Sequence, residues 1–150
     1  MKTSKKELAE RLGAVPLFER CTKRDLRAVA RHVDVIDYDD GEEIVTEGAI
    51  ADAFFLILAG EAAVQRGDQQ VATLGEGDYF GEIALLDPSP RTASVAAVGE
   101  LRVAAMNARM FRVLLRDVPE ISSAMLASLA SMLRDAREWQ GPPQRGDDRD

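Results

Sequence analysis

Between residues 33 and 106, short apolar runs alternate with turn residues, and this rhythm restricts the fold more than any other feature of the chain. The turns are rich in glycine and acidic residues, as in Gly75-Glu76-Gly77-Asp78. Short runs at such even spacing are typical of strands in an antiparallel sandwich or jelly roll. The predicted strands are 33–36, 43–47, 53–59, 61–65, 70–74, 93–98 and 101–106.

Helical patterns flank the predicted strands. Residues 3–12 predict a short helix, and a capping-box signal at Thr22 and Asp25 predicts a second helix over 23–31. We therefore predict a mainly β fold with flanking helices: an antiparallel β jelly roll with an N-terminal helical segment and two C-terminal helices.

The first C-terminal helix is predicted to begin after Asn107 and to end near residue 116. The second is predicted to run from Pro119 to about Trp139, because proline is favoured in the first turn of a helix.

Composition limits the class of protein. The chain has 150 residues, 46% of them hydrophobic, which is enough for one domain with a real core. No apolar run approaches the ~18 residues of a membrane span. A single cysteine, Cys21, cannot form an internal disulfide and fits a reducing, cytoplasmic location. The net charge of −7, with only scattered arginines, argues against a nucleic-acid partner.

The predicted domain organisation is simple. We expect an N-terminal helical arm at 1–14, one domain at 15–140 and a disordered polar tail at 141–150. No second domain is apparent, so we expect any regulation by this chain to act on a partner protein in trans.

The segment from Tyr79 to Ser94 contains the main candidate ligand-binding residues. Gly81 and Glu82 open a short apolar turn, and Arg91 follows nine positions after the glutamate. A guanidinium donates two parallel hydrogen bonds to a phosphate, and a carboxylate accepts hydrogen bonds from sugar hydroxyls. This spacing suits one anionic phosphodiester and its attached sugar.

The same residues resemble the cyclic nucleotide-binding domain family. The matching strings are Phe80-Gly81-Glu82-Ile83-Ala84-Leu85 and Pro90-Arg91-Thr92-Ala93, and the wider resemblance covers about residues 15–138. It implies a phosphate-binding cassette for cyclic AMP or cyclic GMP as ligand, with no other cofactor.

Further ligand contacts are expected around Glu82 and Arg91. The backbone N–H groups of Ile83 and Ala84 lack helical partners and can face the phosphate. Ala84 and Ala93 are small, which leaves room near the ligand or serves close packing. Thr92 is compatible with either base and can equally be an ordinary strand residue.

Two valines are expected in the base pocket on the resemblance alone. Val64 and Val71 fall on the strands that line this pocket in the family. From the residues themselves, both are core valines.

The last predicted helix carries an apolar stripe that must be buried against something. It packs on the domain itself, closes over the base as a mobile lid, or forms the seam of a homodimer. The stripe comprises Ile121, Met125, Leu129 and Leu133, with Met132 and Ala136 nearby, and Trp139 is a candidate for stacking on the base.

Other functions fit less well. A metal-dependent jelly-roll enzyme needs several histidines, and the chain has only His32. No phosphate-binding loop of an NTPase is present, so we predict a non-enzymatic cyclic nucleotide sensor with an unidentified protein effector. The alternatives are an interaction module that nucleotide does not regulate and a transcription regulator without its own DNA-binding domain.

Overall fold

The computed structural model describes residues 3–138, and its first layer is helical. Helix α1 is Lys5–Leu12 and helix α2 is Lys23–Arg31, with a 3₁₀ turn, η1, at Pro16–Phe18 between them. The predicted capping box is confirmed, because the Thr22 side chain accepts a hydrogen bond from the Asp25 N–H and the Asp25 carboxylate accepts one from the Thr22 N–H.

Eight antiparallel strands form the roll. A six-stranded sheet has the order β1-β8-β4-β5, with β2 also paired to β8 and β6 to β4, while β3 and β7 form a separate two-stranded sheet. The predicted β jelly roll with flanking helices is confirmed. The strands are β1 Asp34–Tyr38, β2 Glu43–Val45, β3 Ile50–Ala51, β4 Ala53–Arg66, β5 Gln69–Leu74, β6 Tyr79–Phe80, β7 Ser89–Pro90 and β8 Ser94–Asn107.

Strands β4 and β8 correct the predicted strand boundaries. Each was expected as two short strands, broken at Gly60 and Gly99, but each is one continuous strand of 14 residues. The pairing register of β4 with β8 shifts around Gly60, which has a φ of 97°. A Cβ at Gly60 would collide with the Glu100 carbonyl oxygen, so this glycine allows a bulge inside a strand rather than a turn between two strands.

The two faces of this sheet are buried in different cores. Phe54, Leu56 and Leu58 of β4 pack with the helices. Phe55 and Ile57 of the same strand point to the opposite face, into the interior of the roll. Because side chains alternate along a strand, one strand contributes to both cores.

Two helices complete the described chain. Helix α3 is Ala108–Asp117, and the Asn107 side chain caps it by accepting a hydrogen bond from the Met110 N–H, as predicted. Helix α4, Glu120–Glu138, begins directly after Pro119 and packs on η1 and α3. Within residues 3–138 no helix is both long and apolar enough to cross a membrane.

Candidate functional site

A short 3₁₀ turn, η2 (Glu82–Leu85), carries three of the predicted site residues, Glu82, Ile83 and Ala84. It begins after Gly81, whose φ of 85° lies in the left-handed region. The Ala84 N–H donates to the Gly81 carbonyl over 3.0 Å. Ala84 and Leu85 are buried, while Ile83 is 55% exposed. The turn is therefore fixed to the core by Ala84 and Leu85. The Ile83 N–H has no partner inside the turn, but the Ala84 N–H is already bonded to Gly81, so the prediction that it lacks a partner is wrong.

The backbone of Arg91 is held in place by two hydrogen bonds to the segment at 48–49. Its N–H donates to the Ala49 carbonyl over 2.8 Å, and its carbonyl accepts from the Gly48 N–H over 2.9 Å. These bonds continue the pairing of β3 with β7 just before Arg91. The side chain is half-buried, so its direction is determined by the surrounding backbone rather than by solvent.

The Arg91 side chain joins three segments of the chain. Its Nη2 donates to the Ala53 carbonyl over 2.8 Å. A Cβ added to Gly81 would lie 2.9 Å from both Nη1 and Nη2 and would collide with the Ala53 oxygen. Only glycine fits this close approach, so the structure brings together the Gly81 and Arg91 that the sequence motif places ten residues apart.

The charge of Arg91 is only weakly compensated. Burial lowers the pKa of its guanidinium, and the nearby Asp52 carboxylate raises that pKa in part. Within residues 3–138 Arg91 forms no ion pair, and Ala53 uses one of its five N–H donors. A half-buried guanidinium with unused donors can donate two parallel hydrogen bonds to an anion.

A cavity of about 240 Å³ opens beside Arg91. It is smaller than the roughly 300–1,000 Å³ typical of small-molecule pockets. Of the predicted site residues Arg91 lines it, whereas the others do not: Gly81, Glu82, Ile83, Ala84, Thr92, Ala93, Val64 and Val71. Its lining consists of Ile44, Val45, Thr46, Ala49, Ile50, Ala51, Asp52, Ala53, Phe55 and Arg91.

Glu82 lies at the start of η2, half-buried. Its side chain forms no hydrogen bond to any residue in the described part of the chain. Burial raises the pKa of Tyr79, and the negative charges of Glu82 and Asp78 raise it further. Glu82 therefore retains its acceptor capacity for a hydroxyl-bearing ligand.

Thr92 and Ala93 connect Arg91 to β8. Thr92 is exposed, and its carbonyl accepts from Arg66 Nε over 3.2 Å, while Ala93 is half-buried. The Ser94 Oγ accepts a hydrogen bond from the Glu47 N–H over 2.8 Å. The sequence motif did not predict that the turn at 46–49 forms hydrogen bonds to Arg91 and Ser94. Gly48, with a φ of 89°, is the signal that marked the turn.

The two valines differ in position. Val64 is half-buried, pairs with Val95 and Ala72, and packs against the core inside the roll. Val71 is 45% exposed and lies where the register of β5 against β4 shifts. The structure thus places Val64 on the same core as Phe55 of the cavity wall, and it leaves Val71 at the surface.

The apolar stripe of α4 is divided between core and solvent. Ile121 and Met125 are buried in the helical core, and Leu129 packs against it. Leu133 is 66% exposed. Trp139 lies outside the described residues.

His32 has a structural position at the end of α2. Its Nδ1 lies 2.9 Å from the Ala28 carbonyl oxygen, and its Nε2 lies 4.0 Å from the Asp117 carboxylate on α3. The first contact lies within the end of α2, and the second connects α2 to α3.

The β roll, the 3₁₀ turn and the half-buried arginine define a class: small domains that hold an anionic ligand between a short turn and a roll. The chain belongs to the cyclic nucleotide-binding domain family, whose model matches residues 35–117.

Relatives of known function include regulatory proteins of two kinds. The chain is 39% identical to a cAMP-dependent protein kinase regulatory subunit of Mycosarcoma maydis, over 85% of this chain and 24% of that protein. It is 30% identical to a CRP-like cAMP-activated global transcriptional regulator of Mycobacterium tuberculosis, over 83% of this chain and 58% of that protein. The chain thus spans about a quarter of the kinase subunit and somewhat more than half of the transcriptional regulator.

One similar solved structure is a co-crystal structure with cAMP. The regulatory domain of Toxoplasma gondii PKA, solved with cAMP, has a TM-score of 0.68 and 26% identity to this chain. The match covers 90% of this chain and 50% of that one.

Proposed function

We propose that this chain is a sensor that binds cyclic AMP or cyclic GMP and relays binding to a protein effector. The observation that carries the proposal is the half-buried Arg91 guanidinium, held against Gly81 by the Ala53 carbonyl. Membership of the cyclic nucleotide-binding domain family supports it, as does a relative whose structure was solved with cAMP.

The proposed roles follow from the donors and acceptors at the site. Arg91 and the Ile83 N–H bind the phosphate, Gly81 and the small Ala84 leave room for its close approach, and Glu82 accepts from the ribose 2′-hydroxyl. Thr92, Ala93, Val64 and Val71 complete the proposed binding residues. The exposed Thr92 hydroxyl is compatible with adenine and guanine alike, so the preference for a base stays open.

The proposed relay runs from the binding turn to the C-terminal helices. η2 contacts α3, and α3 contacts α4, so a shift of η2 on binding reaches both helices through packed residues. The extent of the binding domain, 15–140, the effector acting in trans and the cytoplasmic location remain predictions from the sequence.

The experiment is a calorimetric titration with cyclic AMP, cyclic GMP and linear 5′-AMP. We expect one site per chain that binds at least one cyclic nucleotide much more tightly than the linear monophosphate. The reason is that one arginine and neutral N–H donors match a singly charged diester better than a dianion. Equal affinity for cyclic and linear forms, or no binding of either, would contradict the proposal.

Arg91→Ala tests the phosphate contact. We expect it to weaken cyclic nucleotide binding by about 2–4 kcal/mol, or roughly 30- to 1,000-fold, because a charge-assisted and partly buried contact is lost. Arg91→Lys should recover only part, because an ammonium cannot replace the planar fork. The matched control is Arg102→Ala, which removes an arginine paired with Asp37 outside the site. Normal binding by Arg91→Ala would show that the phosphate lies elsewhere.

A further inference from the structure

Positive and negative charges occupy different layers of this protein. Residues 1–31 contain nine basic and four acidic residues, a net charge of +5. Residues 32–108 contain three basic and fifteen acidic residues, a net charge of −12. The first group includes α1 and α2, and the second includes every strand of the roll. The segment that contains α1 and α2 therefore has an excess of positive charge, and the segment that contains the strands has an excess of negative charge.

A groove lies between α1 and α2 in this basic layer. Its volume is about 240 Å³. Ala9 is buried and Leu26 half-buried, and together they give the groove an apolar floor, while the charged residues around them are exposed. The lining comprises Lys6, Ala9, Glu10, Lys23, Leu26 and Arg27.

The cations at the rim of this groove are available to a partner. The side chains of Lys6, Lys23 and Arg27 form no hydrogen bond and no ion pair to other residues of the 3–138 region. Arg11 on the same layer differs, because it lies 3.7 Å from Glu7 and 3.2 Å from Glu76. The groove lining has three cations and one carboxylate, that of Glu10, so it attracts an anionic group.

The apolar floor of the groove favours one class of anionic partner over two others, a membrane surface and a nucleic acid. Membrane surfaces are bound more firmly when large apolar side chains project into the lipid, and none of the large apolar residues of α1 and α2 is exposed. Nucleic acid is bound through phosphates, to which an apolar floor contributes nothing. An amphipathic helix instead places an apolar row on such a floor and charged side chains on its rims.

We propose that the groove between α1 and α2 docks an acidic amphipathic helix of a partner protein. Glutamates or aspartates flanking a short apolar row of that helix pair with Lys6 on one rim and with Lys23 and Arg27 on the other. Glu10 repels acidic residues at its own position, which favours one orientation of the partner helix. This surface is separate from Gly81 and Arg91, so docking does not depend on nucleotide.

The probe is a synthetic helical peptide of 16 residues with a leucine row flanked on both sides by glutamates. The full chain, labelled with ¹⁵N, is titrated with this peptide at low and at high salt. We expect saturable shifts of amide signals that centre on Ala9 and Leu26. The affinity should fall as salt rises, because the rim contacts are exposed ion pairs.

Two double variants with the same change of charge separate docking from general attraction. Lys23→Glu with Arg27→Glu should weaken peptide binding by roughly tenfold or more, equivalent to about 1.4 kcal/mol. The control, Arg109→Glu with Arg112→Glu, alters two exposed arginines on α3 and should change the affinity less than about twofold. Arg91→Ala should bind the peptide normally, so failure of this proposal and failure of the nucleotide proposal are distinguishable.

Several results would overturn the proposal. One is the absence of saturable binding, and another is an equal loss of affinity in both double variants. A third is unchanged binding of a peptide whose leucines are replaced by alanine, because the apolar floor would then have no role. The last is tighter binding to phosphatidylserine vesicles or duplex DNA than to the peptide, which would identify a different class of partner.

Discussion

At the scale of single residues, the candidate site depends on one close approach. The Arg91 guanidinium, the Ala53 carbonyl and the Gly81 backbone occupy a space that a methyl group at position 81 would fill. Three segments far apart in the chain therefore have to fit together before the arginine can face a ligand. Gly81 thereby controls the position of the Arg91 side chain.

Gly81→Ala tests this dependence, and Gly77→Ala is its matched control. Both glycines have a similar φ, 85° and 90°, but a Cβ at Gly77 meets nothing within 4 Å. We expect Gly77→Ala to lower the free energy of unfolding by about 1–2 kcal/mol through backbone strain alone. Gly81→Ala should lower it further and should weaken nucleotide binding by roughly tenfold or more, because Arg91 must move. Denaturant unfolding and calorimetric titration measure the two effects.

Equal unfolding free energies for the two variants, with unchanged nucleotide affinity, would show that the close approach has no energetic importance. The sequence motif predicted that Gly81 and Arg91 belong to one site. It could not predict the Ala53 carbonyl as the partner of Arg91, because the two residues are 38 positions apart and a backbone acceptor has no side-chain signature.

At the scale of elements, a glycine can end a strand or form a bulge within it, and the sequence did not distinguish these two structures. Helices α1 and α2 were predicted to within about two residues, because caps and periodicity are local signals. Gly60 predicted the end of a strand, yet β4 continues through it as a bulge. A bulge is defined by the strand opposite, and only the folded pairing with β8 reveals it.

Small elements were also missed for a physical reason. The turn η1 and the two-residue strands β3 and β7 have too few residues to show a period. Their conformation is set by what they contact: η1 packs on α4, and β3 pairs with β7 beside Arg91. Long-range contacts of this kind override local propensity.

Helix α4 contains one polar group that opposes its burial. Ser128 is fully buried, and its hydroxyl has no hydrogen-bond partner among residues 3–138. We expect Ser128→Ala to raise the free energy of unfolding by about 1 kcal/mol, because folding then no longer buries a hydroxyl without a hydrogen-bond partner. The control is Ser123→Ala on the exposed face of the same helix, which reports the helix propensity of alanine alone. An equal gain for both variants in denaturant unfolding would show that the buried hydroxyl costs nothing.

At the scale of the whole molecule, one face of α4 is buried in the helical core and another is exposed to solvent. Ile121, Met125 and Leu129 pack on the domain itself, as one of the three interpretations of the stripe requires. Leu126 and Leu133, both 66% exposed, remain for a lid or a homodimer seam. Leu129→Glu would disturb the core, so substitutions at Leu126 and Leu133 are better suited to distinguish a lid from a homodimer seam.

We expect lid behaviour. Nucleotide should slow amide hydrogen exchange in residues 130–138, and the effect should be the same at a low and a high protein concentration, because a lid acts within one chain. Leu126→Glu with Leu133→Glu should remove this slowing, while the mass measured by light scattering stays that of a monomer. A dimer that the double variant dissociates would instead identify a seam.

The packing of α4 on η1 has a consequence for the chain as it is synthesised. Leu17 and Phe18 of η1 are fully covered in the folded protein, partly by a helix that begins about 100 residues later. At roughly 5–20 residues per second, a ribosome takes some 5 to 20 s to make the chain between these two elements. During that interval the helical core lacks one wall, and its apolar side chains are open to chaperones. The native packing of the first helices is therefore completed only when nearly the whole domain has emerged.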